Sequence, residues 1–143
     1  MRSPSKNWSE AIAWVARNYR LPPARTLRTK VSTEKIVEAV IAAAEAKQAV
    51  DLVMVDVRKN SAVTDYIVIC SGESTPQIRA IEKAVDDELR KKNIKQFRWE
   101  GVTGSGWVIL DLGSIVVHVM DESERKYYNL EGLWGKDAII YHY

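Results

Sequence analysis

The stretch GWVILDLGSIVVHVM, residues 106–120, limits the fold more than any other part of the chain. It contains two apolar runs, 107–110 and 115–120, both rich in β-branched residues. Asp111-Leu112-Gly113-Ser114 separates them. Gly takes a positive φ without cost, and Asp and Ser side chains bond nearby backbone, so this tetrapeptide reads as a turn between antiparallel strands. The run Ile-Val-Val-His-Val-Met does not alternate apolar with polar residues. A strand of that kind needs cover on both faces, so it is expected at the centre of a sheet with 107–110 beside it.

The other segments are expected to supply the layers. Ser32 is a good N-cap and Glu34 suits the first turn of a helix. Ile36, Val40 and Ala43 or Ala44 then form an apolar stripe through about Lys47. Residues 51–57 and 65–70 read as strands, the second closed by Ser71-Gly72. A helix starts near 74–77, either with Thr75 as cap and Pro76 at the first position or with Ser74 and Gln77 as a capping box. Ile78, Ile81, Val85 and Leu89 give its buried face, and Asn93 suits a left-handed end. Residues 96–100 form a short strand and 121–128 a helix capped by Asp121 or Ser123. Residues 129–134 make a compact end, and 139–141 read as a small edge strand or a tail packed on the body. The predicted order is α-β-β-α-β-β-β-α, an α+β class with a mixed sheet.

With 143 residues, 46% of them hydrophobic, one core is expected. A lone cysteine, Cys70, excludes an internal disulfide framework and a multi-cysteine zinc site, and a reducing compartment is the simplest setting. No apolar run approaches the roughly 18 residues that span a bilayer, so no membrane role is expected. The net charge of +2 is unevenly distributed. Residues 1–31 carry seven basic residues (Arg2, Lys6, Arg17, Arg20, Arg25, Arg28 and Lys30) against Glu10 alone. The remainder carries 14 basic and 18 acidic residues. We divide the chain into a basic N-terminal extension (1–31), partly helical or disordered, a body (32–134) and a C-terminal tail (135–143). Within the extension Trp8, Ile12, Val15 and Tyr19 recur at helical spacing, and Leu21-Pro22-Pro23 ends any helix there. A basic arm binds nucleic acid through phosphate counterion release, so contact with RNA is one reading. Its Arg-rich, acid-poor composition also suits a transit peptide, and a solvated extension is the plain reading.

Chemistry finds little support. Gly101-x-x-Gly104-x-Gly106 leads into a strand rather than a helix, so it reads as a hairpin turn rather than a phosphate loop. Ser71-Gly72-Glu73-Ser74 lies between a strand and a helix, a context that suits anions. Nucleotidyl transfer also needs paired carboxylates for Mg²⁺, and no predicted strand has Asp-x-Asp or Asp-x-Glu. His118, in mid-strand, reads as a buried hydrogen-bonded histidine, and Cys70 as a packed small hydrophobe. No catalytic residue, metal ligand or cofactor site is expected. The aromatics differ. Trp99, Trp107, Tyr127, Tyr128 and Trp134 crowd the last third of the chain. Trp and Tyr near a surface are common interface anchors, each worth about 2 kcal/mol or more on truncation.

Several pieces then combine: Thr64-Asp65-Tyr66, Ile69-Cys70-Ser71-Gly72, Glu100-Gly101, Trp107-Val108, Asp111-Leu112-Gly113, Val116-Val117-His118-Val119-Met120, Arg125, Tyr128 and Leu130-Glu131-x-Leu133-Trp134. In order and spacing, from about Ser32 to Trp134, they resemble the ribosomal silencing factor family RsfS, also called the iojap family. The resemblance implies a nucleotidyltransferase-like fold without catalytic carboxylates, hence no enzyme. It implies binding to the large ribosomal subunit through ribosomal protein L-fourteen and steric exclusion of the small subunit, which represses translation. Bacterial members are cytoplasmic, with relatives in mitochondria and chloroplasts, and several are homodimers off the ribosome. On this resemblance Trp107, Glu100 and Asp111 are candidates for the exposed part of the interface. Tyr128, Leu133 and Trp134 would complete an aromatic and apolar patch. Glu100, Asp111 and Glu131 would steer a basic ribosomal protein. Two readings compete: a nucleotidyltransferase-type enzyme using the Ser71-Gly72 turn, and an RNA-binding protein acting through the basic arm.

Overall fold

The structure, a computed structural model, describes residues 31–101, 103–134 and 138–143. Residues 1–30 of the basic extension, with its expected helix, lie outside the described residues. The described chain forms helices α1 (Thr33–Ala46), α2 (Thr75–Lys91) and α3 (Glu122–Tyr128). Its strands are β1 (Val50–Asp56), β2 (Tyr66–Gly72), β3 (Arg98–Glu100), β4 (Trp107–Asp111), β5 (Ile115–Asp121) and β6 (Ile139–His142). Single 3-10 turns occupy Thr103–Ser105 and Leu130–Trp134. The class is α+β with one mixed sheet, as expected. Its strand order is β3-β4-β5-β2-β1-β6, parallel only between β2 and β5. The β4–β5 hairpin forms where the sequence predicts it, and β5 is central. All its residues but Asp121 are buried, as its unbroken apolar pattern requires.

Residues 139–142 resolve the alternative left open above. They pair antiparallel with β1, and the Tyr143 amide donates to the Leu52 carbonyl at 2.9 Å. They are the sixth strand of the sheet and not a separate tail.

Helix ends follow side-chain chemistry. The Lys35 amide donates to Ser32 Oγ at the start of α1. At α2 the cap is Ser74, whose Oγ accepts from the Gln77 amide at 3.2 Å. Gln77 Oε1 accepts from the Glu73 amide at 2.6 Å, while its Nε2 donates to the carbonyls of Lys47 and Gln48. The start of α2 is thereby tied to the end of α1. Asn93 ends α2 at φ 65°, the left-handed form expected for it.

Helices α1 and α2 cover one face of the sheet. Ile36, Val40, Ile78, Ile81, Val85 and Leu89 meet Val68, Cys70, Leu110, Val117 and Val119 there. Gly72 permits the approach, since a Cβ would lie 2.7 Å from Ile78 Cγ1. The other face holds Val53, Val55, Ile67, Ile69, Trp107, Ile109, Val116 and Met120. Among the described residues its cover is lighter: α3, packed on β5 and β2, and the turn Leu130–Trp134.

Candidate functional site

The second face carries the residues singled out above. Strand geometry puts alternate residues on one side, so Trp107, Ile109 and Asp111 share it on β4. The pairing of Ile109 with Glu100 and with His118 brings those two alongside. Tyr128, from α3, and Leu133 and Trp134, from the 3-10 turn, pack onto the same face. All six sequence candidates thus converge on one side of the sheet, although they come from four elements.

Their exposure corrects the sequence expectation. Trp107 is 2% exposed, Asp111 5% and Tyr128 2%, so none of them is a surface residue in this structure. The reason is the two-layer packing. The Trp107 ring lies 4.9 Å from the Tyr128 ring and 5.8 Å from the His118 ring, and its Nε1–H donates to His118 Nδ1 at 3.0 Å. Glu100, Leu133 and Trp134 are half-buried and form the rim. Tyr127, beside Tyr128 at 5.3 Å, is half exposed.

The electrostatics follow from burial. His118 accepts at Nδ1, so its ring is neutral with the proton on Nε2, and burial pushes its pKa down to about 3. Burial raises the Asp111 carboxyl above its ordinary range, opposed by the Gly113 amide, which donates to Oδ1 at 2.8 Å, and by the Arg98 charge. Arg98 pairs with Glu100 at 2.7 Å.

Arg125 fixes α3 over the sheet. Its guanidinium donates to Ser71 Oγ at 3.1 Å, to the Val50 carbonyl at 3.3 Å and to Glu131 Oε2 at 3.3 Å. Val50 precedes a register shift in β1, with Asp51 at φ 48°, so the arginine pairs a carbonyl at an irregular point in the ladder. No local sequence signal gives Arg125 this role, because its partners lie 54 and 75 residues away. Ile109, not singled out from sequence, and Val116, named only within the family signature, line the same face. Period-two counting from Trp107 and His118 finds them.

Cys70 is fully buried and its thiol is pushed up to about 12, so it packs as a hydrophobe. Among the described residues no three of His, Cys, Asp and Glu converge to hold a metal ion, and no helix is long and apolar enough to cross a membrane.

Comparison with known proteins agrees with this architecture. The family model for RsfS, ribosomal silencing factor during starvation, matches residues 30–141. The chain is 39% identical over 105 residues to ribosomal silencing factor RsfS of Bacillus subtilis, covering 73% of this chain and 89% of that protein. It is 36% identical over 78 residues to an Iojap-related mitochondrial protein of Arabidopsis thaliana, covering 52% of this chain and 42% of that one. A crystal structure from Chromobacterium violaceum superposes with a TM-score of 0.70 at 30% identity, over 73% of this chain and 88% of that one. A match across most of the described body, in sequence and in fold, leaves one assignment: the chain belongs to the ribosomal silencing factor family, whose role is ribosome-associated repression of translation.

Proposed function

We propose that this protein binds the large ribosomal subunit through ribosomal protein L-fourteen, using the second face of its sheet, and so excludes the small subunit. The observation that supports this most is the convergence on that face of half-buried Glu100, Leu133 and Trp134 around the buried Trp107, Asp111 and Tyr128. The rim residues supply an aromatic and apolar contact and an acidic group that complements a basic partner, and the buried trio supports them from beneath. The reaction is exclusion of volume, with no covalent step and no cofactor. A body of this length is about 25–30 Å across, enough to hold two subunit surfaces apart. The bacterial relatives suit a cytoplasmic setting, the Iojap-related one an organelle, and free protein is expected to be a homodimer.

The test uses rim residues, whose replacement disturbs the core less than that of the buried trio. Added protein is expected to cosediment with isolated large subunits and to reduce joined ribosomes. Glu100→Lys with Trp134→Ala should weaken large-subunit binding tenfold or more at a temperature where calorimetry shows the variant still folded. Unchanged binding would refute this face as the docking surface. Trp107→Ala is the poorer probe, since emptying that buried site costs about 3–5 kcal/mol of stability.

A further inference from the structure

The turn Leu130–Trp134 carries two of the three rim residues, and its own backbone does little to place it. It is a short 3-10 turn, a form with poorer hydrogen-bond geometry than an α-helix. Only Leu130 in it is buried, while Leu133 and Trp134 are half-buried. The Gly132 amide donates to the Asn129 carbonyl at 3.0 Å, which shapes the turn without fixing it against the sheet. Two side-chain contacts do that. At its end, Asn60 Nδ2 donates to the Trp134 carbonyl over a long 3.4 Å. Near its start, Arg125 Nη2 donates to Glu131 Oε2 at 3.3 Å, and this contact joins two charged groups.

Arg125 is itself anchored in the sheet. Its Nη1 donates to Ser71 Oγ and to the Val50 carbonyl, and Ser71, on β2, is 2% exposed. Both acceptors are neutral, so they leave the guanidinium charge unbalanced. A buried charge without a counter-charge is costly. Glu131 supplies the counter-charge, and the two side chains are 9% and 27% exposed. The other carboxylate oxygen, Glu131 Oε1, is buried and has no hydrogen-bond partner among the described residues. The carboxylate therefore relies on Arg125 for its bond, and Arg125 relies on the carboxylate for its charge.

We infer that Arg125 and Glu131 are positioning residues: the pair sets where Leu133 and Trp134 stand against the sheet, and Glu131 serves docking through this contact rather than as a charge that steers the partner. The part concerning docking rests on the reading of the second face as the docking surface; the placing of the turn does not.

The geometry separates the two roles of Glu131. Steering requires a field that reaches into solvent. A carboxylate beside a guanidinium forms a dipole, whose field falls off faster than that of a lone charge, and salt screens the rest within about 10 Å. Positioning requires reach and an acceptor oxygen. Glu131→Asp keeps the charge and shortens the reach by one methylene. Glu131→Gln removes the charge and keeps both the reach and an acceptor for Arg125. The two replacements thus have opposite consequences under the two roles.

The test uses the full-length protein labelled with 5-fluorotryptophan, with the Trp134 resonance assigned by Trp134→Phe. Glu131→Asp is expected to shift the Trp134 fluorine resonance and Glu131→Gln to leave it near the parent position. The Trp99 resonance should stay in place in both and so report an intact fold, since that ring packs in the other core cluster and its Nε1–H donates to Asp86. An unmoved Trp134 resonance in Glu131→Asp would overturn the proposal. The second measurement is affinity for isolated large ribosomal subunits, which should fall fivefold or more for Glu131→Asp and stay within twofold for Glu131→Gln. The reverse order would make Glu131 a steering charge and overturn its positioning role. Parent-like affinity in both variants would overturn the link to docking. Losses in both would support the pair only if the Trp134 resonance moves in both, and would otherwise overturn it. If the parent itself does not bind large subunits, the partner reading fails, while the fluorine resonances still judge whether the pair places the turn.

Discussion

The pair Trp107 and His118 shows how single residues set the pH range of the fold. His118 titrates at an ordinary 6.5 when exposed and at about 3 when buried here. The unfolded chain therefore binds a proton between those values that the folded chain does not. Stability from this group is complete above pH 6.5 and falls as pH drops toward 3, by up to about 1.4 kcal/mol per pH unit. Asp111 has the opposite sign. Its carboxyl is raised above 3.8 by burial, so its contribution is present below 3.8 and is lost as pH rises through the raised value. Urea denaturation at pH 7, 5.5 and 4.5 should show a steep acid slope for the parent and a shallower one for His118→Gln. Equal slopes would rule out the buried neutral ring. The sequence alone identifies His118 as a buried histidine. It does not reveal the partner, because a register of β4 on β5 decides which tryptophan meets which imidazole.

Among the elements, the connection from β3 through β4 and β5 to α3 does the most to build the candidate surface. Gly106 sits at φ +83°, and a Cβ there would collide with the Asp121 carboxylate. That same carboxylate caps α3, accepting from the Glu124 amide at 2.7 Å, and the Asp121 amide donates to the Gly106 carbonyl at 2.8 Å. One small residue thus lets the hairpin and the helix start share a space. Gly106→Ala is expected to cost about 1–3 kcal/mol, from the left-handed backbone and the displaced cap. Gly104→Ala, with no atom within 4 Å of its Cβ, should cost under about 0.5 kcal/mol. Denaturation midpoints for the two variants check this, and similar losses would contradict it. The turn at 101–106, the capping serine of α2, Asn93 and the cap of α3 are all local signals, which is why they are legible in the sequence. The Gln77 contacts to α1 and the Arg125 contacts to β1 and β2 are not, since each joins segments 29 residues or more apart.

For the molecule as a whole, the sheet edges matter. β6 covers β1 on one side, and Ile140 packs against the second core cluster. Removing residues 138–143 would bare the β1 edge, whose unpaired amides and carbonyls invite another chain. A loss of several degrees in Tm and concentration-dependent association are expected, readable by calorimetry and sedimentation. An unchanged Tm with a monodisperse chain would show β6 to be dispensable. The sequence by itself determined the kind of each main element and the two-sided burial of β5, because backbone preference and apolar period act over neighbouring residues. Its motifs also sufficed to identify the family. Only the tertiary structure decided that β2 lies parallel against β5, that β6 closes the β1 edge, and that Trp107, Asp111 and Tyr128 are inside rather than on the surface. Those outcomes depend on which layer comes to rest on which face, a matter of contacts between distant segments that no local pattern encodes.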